Sequence, residues 1–330
     1  MTKSSARIQA RTLFVALLGL AIFGSSAALA DTFPNRTVRL IVPFPPGGTP
    51  DVIARLMTDK LSVQWKQPVI VENRPGGSSN IGSDIVAKAP RDGHVLLMVP
   101  NNVLTINPLL SSKMPFNPST DLVSVSLLGI TPFLLVTGPS LNVSTIKELV
   151  AEAKRRPDGI TYASSGVGSN QHMFAEMLRS LTNIPMTHVP YTGGPQSVLD
   201  IIGGRVDMQF GAVTSTLEHV RAGKLRALAV VSQNRLAVLP DVPTVAETGM
   251  EGFDADGWIG LSATAGTPPD VLARINRDVG EIMRDPKAVE TLAGFGIVAQ
   301  PGTPAEMDER ISREREAWRK VISKSKITTD

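Results

Sequence analysis

The chain is 330 residues long and contains 33 Lys+Arg, 30 Asp+Glu, four histidines and no cysteine. Without cysteine there can be no disulfide, thiolate metal site or cysteine nucleophile, so stability has to come from an apolar core. Lys3, Arg7 and Arg11 open the chain with no acid among them. Setting those three aside, 33 less 3 leaves 30 bases against 30 acids, so the remainder is neutral and nucleic acid is not an expected partner.

Those three bases precede an apolar run from Leu13 to Phe23 and the small-residue sequence Ala28-Leu29-Ala30, the layout of a secretory signal cleaved after Ala30. The run is about half of the roughly 20 residues that a membrane-spanning helix needs. The mature chain from Asp31 is therefore expected to be exported and soluble. Its 300 residues, 330 less 30, exceed the usual size of one core, and two lobes are expected.

Short β-branched runs then alternate with stretches of helical spacing, the pattern of parallel sheets with crossover helices. The first strand, Val38 to Phe44, runs into Pro45-Pro46-Gly47-Gly48-Thr49-Pro50. Val52, Ile53, Leu56 and Met57 follow at helical spacing, with Thr49 as the N-cap and Pro50 at the first helical position. A strand at Val69 to Glu72, a turn at Pro75-Gly76-Gly77, a helix from Ile81 to Lys88 and a strand at Val95 to Val99 complete one winding unit.

A second unit begins at Phe133 to Val136, with a helix whose Thr145 and Glu148 have capping-box spacing. Three strand-turn-helix repeats follow. Ile160 to Ala163 leads through Ser164 to Asn170 into a helix from Gln171 to Leu181, and Thr187 to Tyr191 leads through Thr192-Gly193-Gly194-Pro195 into a helix ending at Gly203-Gly204. Val206 to Phe210 leads through Gly211-Ala212-Val213-Thr214 into a helix ending near Gly223, and Leu225 to Val231 closes the sheet. A short helix to Gly249, a returning strand at Trp258 to Ala263 and three helices finish the chain. The last helix, Pro304 to Ile322, alternates acids and bases as a solvated face does.

Several helices thus start directly after glycine-rich turns at the carboxyl ends of strands, where open α/β sheets bind ligands. Glycine allows close backbone approach, and first-turn amides lack intrahelical partners, so such a turn can hold an anion without a basic side chain. Gly47-Gly48-Thr49, Ser165-Gly166-Val167-Gly168-Ser169 and Thr192-Gly193-Gly194 are the candidates, each with a hydroxyl at the helix entrance. The bland alternative is a tight connection only. Gly47-Gly48-Thr49 lacks the Gly-Lys-Ser/Thr ending of a P-loop, and the turn at Gly166-Val167-Gly168 lacks the third glycine of a dinucleotide fingerprint.

His172 beside Ser164-Ser165 raises a Ser165/His172 hydrolase as the enzyme alternative, although no Gly-x-Ser-x-Gly elbow is present. His94, His188 and His219 form no metal-type pair, and neither a metal nor another cofactor is expected. Asp51 lies in the first turn of its helix, where the dipole favours a carboxylate whether or not it touches a ligand. Asp207, after Gly203-Gly204-Arg205, reads as structural.

These residues resemble one family closely. The likeness rests on Val38 to Asp51, Val71-Glu72-Asn73-Arg74-Pro75-Gly76-Gly77, Asp92-Gly93-His94, Tyr162 to Ser169, Val189-Pro190-Tyr191, Gly203 to Asp207, Leu239 to Thr244 and Ala265-Gly266-Thr267-Pro268. Together they are similar to the Bug-type extracytoplasmic substrate-binding receptors of tripartite tricarboxylate transporters. The resemblance implies an α/β, two-lobed type II periplasmic-binding-protein (Venus flytrap) fold with two interlobe crossovers. Residues 31–131 with 253–330 would form one lobe and 132–252 the other.

It also implies a periplasmic, monomeric receptor with no catalytic residues, which captures a small carboxylate and delivers it to membrane transporter subunits. Carried over residue by residue, it places Phe44, Gly48, Thr49 and Asp51 at the ligand from one lobe. Ser164, Ser165, Gly168, Ser169, His172, Tyr191, Thr192 and Gly193 face it from the other. One departure is that Thr192-Gly193-Gly194-Pro195-Gln196 sets proline a residue early and has Thr where the family commonly has Lys. Backbone amides recognise the anion rather than the rest of the molecule, so the sequence leaves the cargo unnamed.

Overall fold

A computed structural model of the chain describes residues 33–111, 113–250, 253 and 256–325. The signal segment expected at Met1 to Ala30 lies outside the described residues. In chain order the first sheet takes β1 (Val38–Val42), β2 (Val69–Asn73), β3 (Val95–Pro100) and β4 (Leu122–Thr131), then after a long excursion β10 (Gly257–Thr264) and β11 (Val298–Ala299). The excursion builds the second sheet from β5 (Phe133–Thr137), β6 (Ile160–Ser164), β7 (Met186–Pro190), β8 (Met208–Ala212) and β9 (Arg226–Val231). Strand orders are β11-β4-β10-β3-β1-β2 and β7-β6-β8-β5-β9. The chain changes sheets twice, at Pro132 and between Val231 and Gly257, as expected of the two-lobed fold.

The sheets are mixed rather than all parallel, which corrects the reading of simple winding. β1 pairs in parallel with β2 and β3, and β6 with β7 and β8. β5 is antiparallel to β8 and β9, and β10 is antiparallel to β3 and β4. β5 in the second sheet, and β10 with the edge strand β11 in the first, run against the others; β5 and β10 have just arrived from the other sheet and enter without a crossover helix to turn them round. The ten-residue β4 did not appear in the sequence reading. Its Leu122 to Thr131 alternates serines with apolar residues, but almost every position is buried, so no polar face marked it as a strand.

The helices that matter for the cleft are α1 (Thr49–Trp65), α2 (Asn80–Ala87), α3 (Asn101–Thr105) and α4 (Asn107–Leu110) on the first sheet. After α5 (Pro118–Asp121) come α6 (Ile146–Arg155), α7 (Asn170–Thr182), α8 (Gly194–Ile202) and α9 (Val213–Arg221) on the second. Thr145 caps α6 as its spacing predicts, accepting from the Glu148 amide at 3.1 Å while Glu148 accepts from the Ser144 amide at 2.6 Å. The cap assigned to Thr49 is corrected. Gly48 is the N-cap, and Thr49 is the first helical residue with its hydroxyl used elsewhere.

Three further helices close the chain, α10 (Pro269–Arg284), α11 (Pro286–Gly294) and α12 (Pro304–Ser325). One core joins Ile41, Val99, Leu127 and Trp258 to Met307 of α12. A second joins Leu135, Phe174 and Phe210 to Trp318 of the same helix. One face of α12 therefore packs into both cores, and its charged face is what the alternation of acids and bases displays.

Candidate ligand-binding cleft

Between the carboxyl ends of the two sets of strands lies a cavity of about 60 Å3. One water needs about 10–15 Å3 by the same measure, so the space suits a small molecule of several heavy atoms. Four helices of nine residues or more start on its wall, beside the shorter α2 and α3 at Ser79 and Pro100. Gly48, Thr49 and Pro50 bring in α1 after β1, and Ser169, Asn170 and Gln171 bring in α7 after β6. Gly194 and Pro195 begin α8 after β7, and Ala212, Thr214 and Ser215 begin α9 after β8. First-turn amides lack intrahelical acceptors and carry the positive end of the helix dipole, so all four termini favour negative charge in the cavity.

Among the described residues none that lines the cavity is Lys, Arg, His, Asp or Glu; the remainder of the wall is apolar, from Phe44, Pro45, Pro100, Phe133 and Ile259, or carries hydroxyl and amide groups. An anion would be held by dipoles, against a largely apolar body. On two residues of the wall, Ser165 Oγ and Asn170 Oδ1 are buried and have no hydrogen-bond partner among the described residues.

The loops from the two sheets touch across the cleft. Thr49 Oγ1 and Thr214 Oγ1 are 2.7 Å apart, Asn170 Nδ2 donates to Asn101 Oδ1 at 2.6 Å, and the Ser78 hydroxyl donates to the Val167 carbonyl. Glycine makes this approach possible. A Cβ on Gly193 would lie 2.6 Å from Cγ of Pro45, and one on Gly168, at φ +83°, would lie 2.9 Å from Asn107 Oδ1. The Ser165 amide is taken by Gln171 Oε1 at 2.8 Å, which pins the turn to the first turn of α7.

Of the residues singled out from sequence, Phe44, Gly48, Thr49, Ser165 and Ser169 line the cavity. The structure places the others around it. Asp51 is buried and its carboxylate accepts from the Gly47 amide (3.0 Å), from Arg55 (2.9 and 3.1 Å) and from Asn73 (2.9 Å). Burial would raise its pKa, but those hydrogen bonds more than offset it and the net shift is down. It stiffens the Gly47-Gly48 turn. Ser164 folds beneath its own turn, with Oγ 2.6 Å from His188 Nε2 and accepting from the Gly166 amide at 3.0 Å. Tyr191 and Thr192 line a wider outer cleft with Gly166 and Val167, and the Tyr191 hydroxyl donates to Asp200 at 2.6 Å.

His172 lies behind the turn, its Nδ1 accepting from the Gly168 amide at 3.3 Å. Its ring sits 4.4 Å from that of His188, which in turn stacks on Tyr162 at 4.9 Å. Burial, with Arg179 adding to it, lowers the His172 imidazole from 6.5 to about 4. Burial and His172 lower His188 likewise to about 4, so both rings are neutral at pH 7. The Ser165/His172 pair required by the hydrolase alternative is not assembled: Ser165 Oγ has no hydrogen-bond partner, and His172 Nδ1 is occupied by the backbone.

Gly194, in the third candidate turn, lines the cavity as well, whereas Asn170, Gln171, Thr214, Ser215 and Ser78 were not singled out from the sequence. The turn Gly211-Ala212-Val213-Thr214 carried the same signal as the three chosen turns, a glycine after a strand and a hydroxyl at a helix start. It was read only as a connection. Asn170 and Gln171 reach the wall because α7 starts one residue earlier than its apolar spacing indicates.

With the geometry in place, the chain can be set beside known proteins. The family model of the tripartite tricarboxylate transporter family receptor, TctC, matches residues 53–327. The chain belongs to this receptor family. The receptor is 36% identical over 311 residues to the protein BugT of Bordetella pertussis, covering 94% of each chain. Among solved structures it is similar to R. palustris Rpa4515 with adipate, with a TM-score of 0.86 and 31% identity over 90% of this chain and 99% of that one. It is also similar to MatC of Rhodopseudomonas palustris with bound malate, with a TM-score of 0.83 and 28% identity over 88% and 100% of the two chains. The Bug-type family and the two-lobed fold expected from the motifs are both borne out.

Proposed function

We propose that this receptor captures a small carboxylate lacking an ammonium group, encloses it between its lobes and presents it to membrane subunits of a tripartite tricarboxylate transporter. The observation that carries the reading is the convergence of the N-termini of α1, α7, α8 and α9 on a cavity whose described lining carries no charged side chain. An ammonium group would find no carboxylate there, since Asp51 is engaged outside the wall. The adipate and malate bound by two similar receptors are carboxylates of this kind. We assign residues 31–131 with 253–330 to one lobe and 132–252 to the other, with α12 packed on both. Capture is a closure in which each lobe supplies part of the donor set and neither alone completes it.

In this reading the leader is removed after Ala30, the protein works as a periplasmic monomer, and it turns nothing over. The test is a thermal-shift panel of carboxylates, amino acids and phosphate esters with product analysis of each mixture. The expected result is stabilisation by at least one carboxylate, no product, and loss of that stabilisation in Thr49→Pro. Proline is tolerated in a first helical turn but removes an amide and the Thr49 hydroxyl from the wall. Stabilisation by phosphate esters or amino acids alone, or product that depends on Ser165, would overturn the reading.

A further inference from the structure

We infer that Gln171 is the side chain that binds the ligand's carboxylate, donating to it from Nε2. The inference rests on the cavity being a carboxylate site and adds which side chain holds the anion. Most other polar side chains of the wall are spent on the protein itself. Thr49 and Thr214 bond to each other, Ser169 Oγ donates to the Gly166 carbonyl at 2.7 Å, and Ser215 Oγ donates to the Ala212 carbonyl at 2.9 Å. Ser165 Oγ and Asn170 Oδ1 are sealed within the wall.

Gln171 differs from all of these. It lines the cavity at 6% exposure, and its Oε1 accepts from the Ser165 amide at 2.8 Å. That N–H decides which arm of the side chain faces it, because turning the group over would set two donors against each other. Nε2 is therefore fixed as a donor on the other arm. It has no acceptor among the described residues, and unlike Ser165 Oγ it is not sealed from the cavity space.

The NH2 group also stands where three helices begin. A Cβ on Gly194, the first residue of α8 and itself on the wall, would lie 3.8 Å from Nε2 and 3.4 Å from Ser215 Oγ. Gln171 and Ser215 belong to the first turns of α7 and α9. An oxygen bonded to Nε2 is thus close to three helix N-termini, where negative charge is favoured. A carboxylate gives the donor a charge-assisted bond, whereas an ammonium group has no lone pair to offer it. With Oε1 on the Ser165 amide and Nε2 on the ligand, one amide ties the Ser165 turn to the bound anion.

The experiment is calorimetric titration of the full mature chain with adipate, malate, citrate, benzoate and nicotinate, in wild type, Gln171→Met and Gln171→Glu. Glutamate keeps the side chain's length and an oxygen for the Ser165 amide, but sets its second oxygen where the NH2 group stood. Methionine keeps the volume and loses both groups. For an acid that binds wild type, Gln171→Met should weaken binding about 10- to 100-fold, as expected when a bond to a charged group is lost. Gln171→Glu should weaken it further, since two carboxylates then face each other. If Gln171 only held the turn, the order would reverse, with Gln171→Glu close to wild type and Gln171→Met the weaker binder. That reversed order, or Gln171→Met within about twofold of wild type, would overturn the assignment and leave the carboxylate site standing. Melting of the ligand-free proteins reports their folding, and wild-type affinity in Gln171→Glu overturns the assignment even where Gln171→Met does not fold. Failure of all five acids to bind wild type would overturn both readings.

Discussion

Gly193→Ala separates closure from folding. Gly193 has φ −178°, an extended conformation open to alanine, so the substitution brings no backbone strain of its own. Its new methyl, however, would stand 2.6 Å from Cγ and 2.8 Å from Cδ of Pro45, where ordinary contact begins near 3.4 Å. The proline ring cannot swing aside, so an overlap of that size should cost about 1–3 kcal/mol. The cost falls only on the state in which the two loops meet, and the apparent affinity should drop about 5- to 150-fold. Alanine is also a poorer N-cap than glycine for α8, which should lower the melting temperature of the free protein slightly without touching affinity. Pro45→Ala removes both clashing ring atoms and leaves Cβ at 3.7 Å from the added methyl, so Gly193→Ala should have far less effect in that background. Calorimetry on the four proteins of the cycle measures this with the best carboxylate from the thermal-shift panel. Unchanged affinity in Gly193→Ala, or the same loss with and without the Pro45 ring, would refute closure of these loops as the binding step.

Three further outcomes follow from the electrostatics. The folded-state pKa of His172 is depressed from 6.5 to about 4, so the folded protein binds fewer protons than the unfolded one. The associated stability is present above pH 6.5 and is lost as pH falls toward 4, by about 2 kcal/mol for His172 alone between pH 7.5 and pH 5. Urea denaturation at the two pH values measures this, and His172→Gln should remove part of the dependence and leave the part that His188 carries. Among the described residues the cavity wall holds no titratable side chain, so between pH 6.5 and 9 the ligand's Kd should vary by less than about twofold, as read by calorimetry. At the second crossover, Arg310 pairs with Asp256 and Glu314 and lies 5.6 Å from the Trp258 ring, whose Nε1 donates to Glu314 at 2.8 Å. Arg310→Met should cost about 3 kcal/mol in urea denaturation by leaving a buried carboxylate without its guanidinium.

Where the sequence was legible, one physical signal carried it. Strands such as Val69 to Glu72 and Val95 to Val99 were found within a residue of their observed ends, because β-branched runs between glycine turns have few other conformations. β4 was not, because its Val123-Ser124-Val125-Ser126 alternation stops at Leu127-Leu128-Gly129-Ile130 and its serines are buried with the apolar residues, so no solvated face marks it. The cleft was half legible for a related reason. Phe44, Gly48, Thr49, Ser165 and Ser169 stand on turns whose glycines are visible as sequence. By contrast Asp51 and His172, chemically the most conspicuous candidates, are held by Arg55, Asn73 and the Gly168 amide. Ionisable residues attract attention as ligand contacts, yet in this chain burial and hydrogen bonding have turned these two into supports for the turns.

The division of the wall bears on how the proposed capture proceeds. The first sheet brings the start of α1 and, at Ser79 and Pro100, those of the shorter α2 and α3, and the second brings the starts of α7, α8 and α9. An anion entering an open cleft would therefore meet helix starts on both sides. In that reading the arrival of Thr49 on Thr214, of Asn101 on Asn170 and of Ser78 on Val167 completes the enclosure. Release would require these uncharged contacts to part. A site built from dipoles divided between two bodies would thus hold an anion when closed and weaken on opening, which suits the proposed delivery of cargo to a transporter.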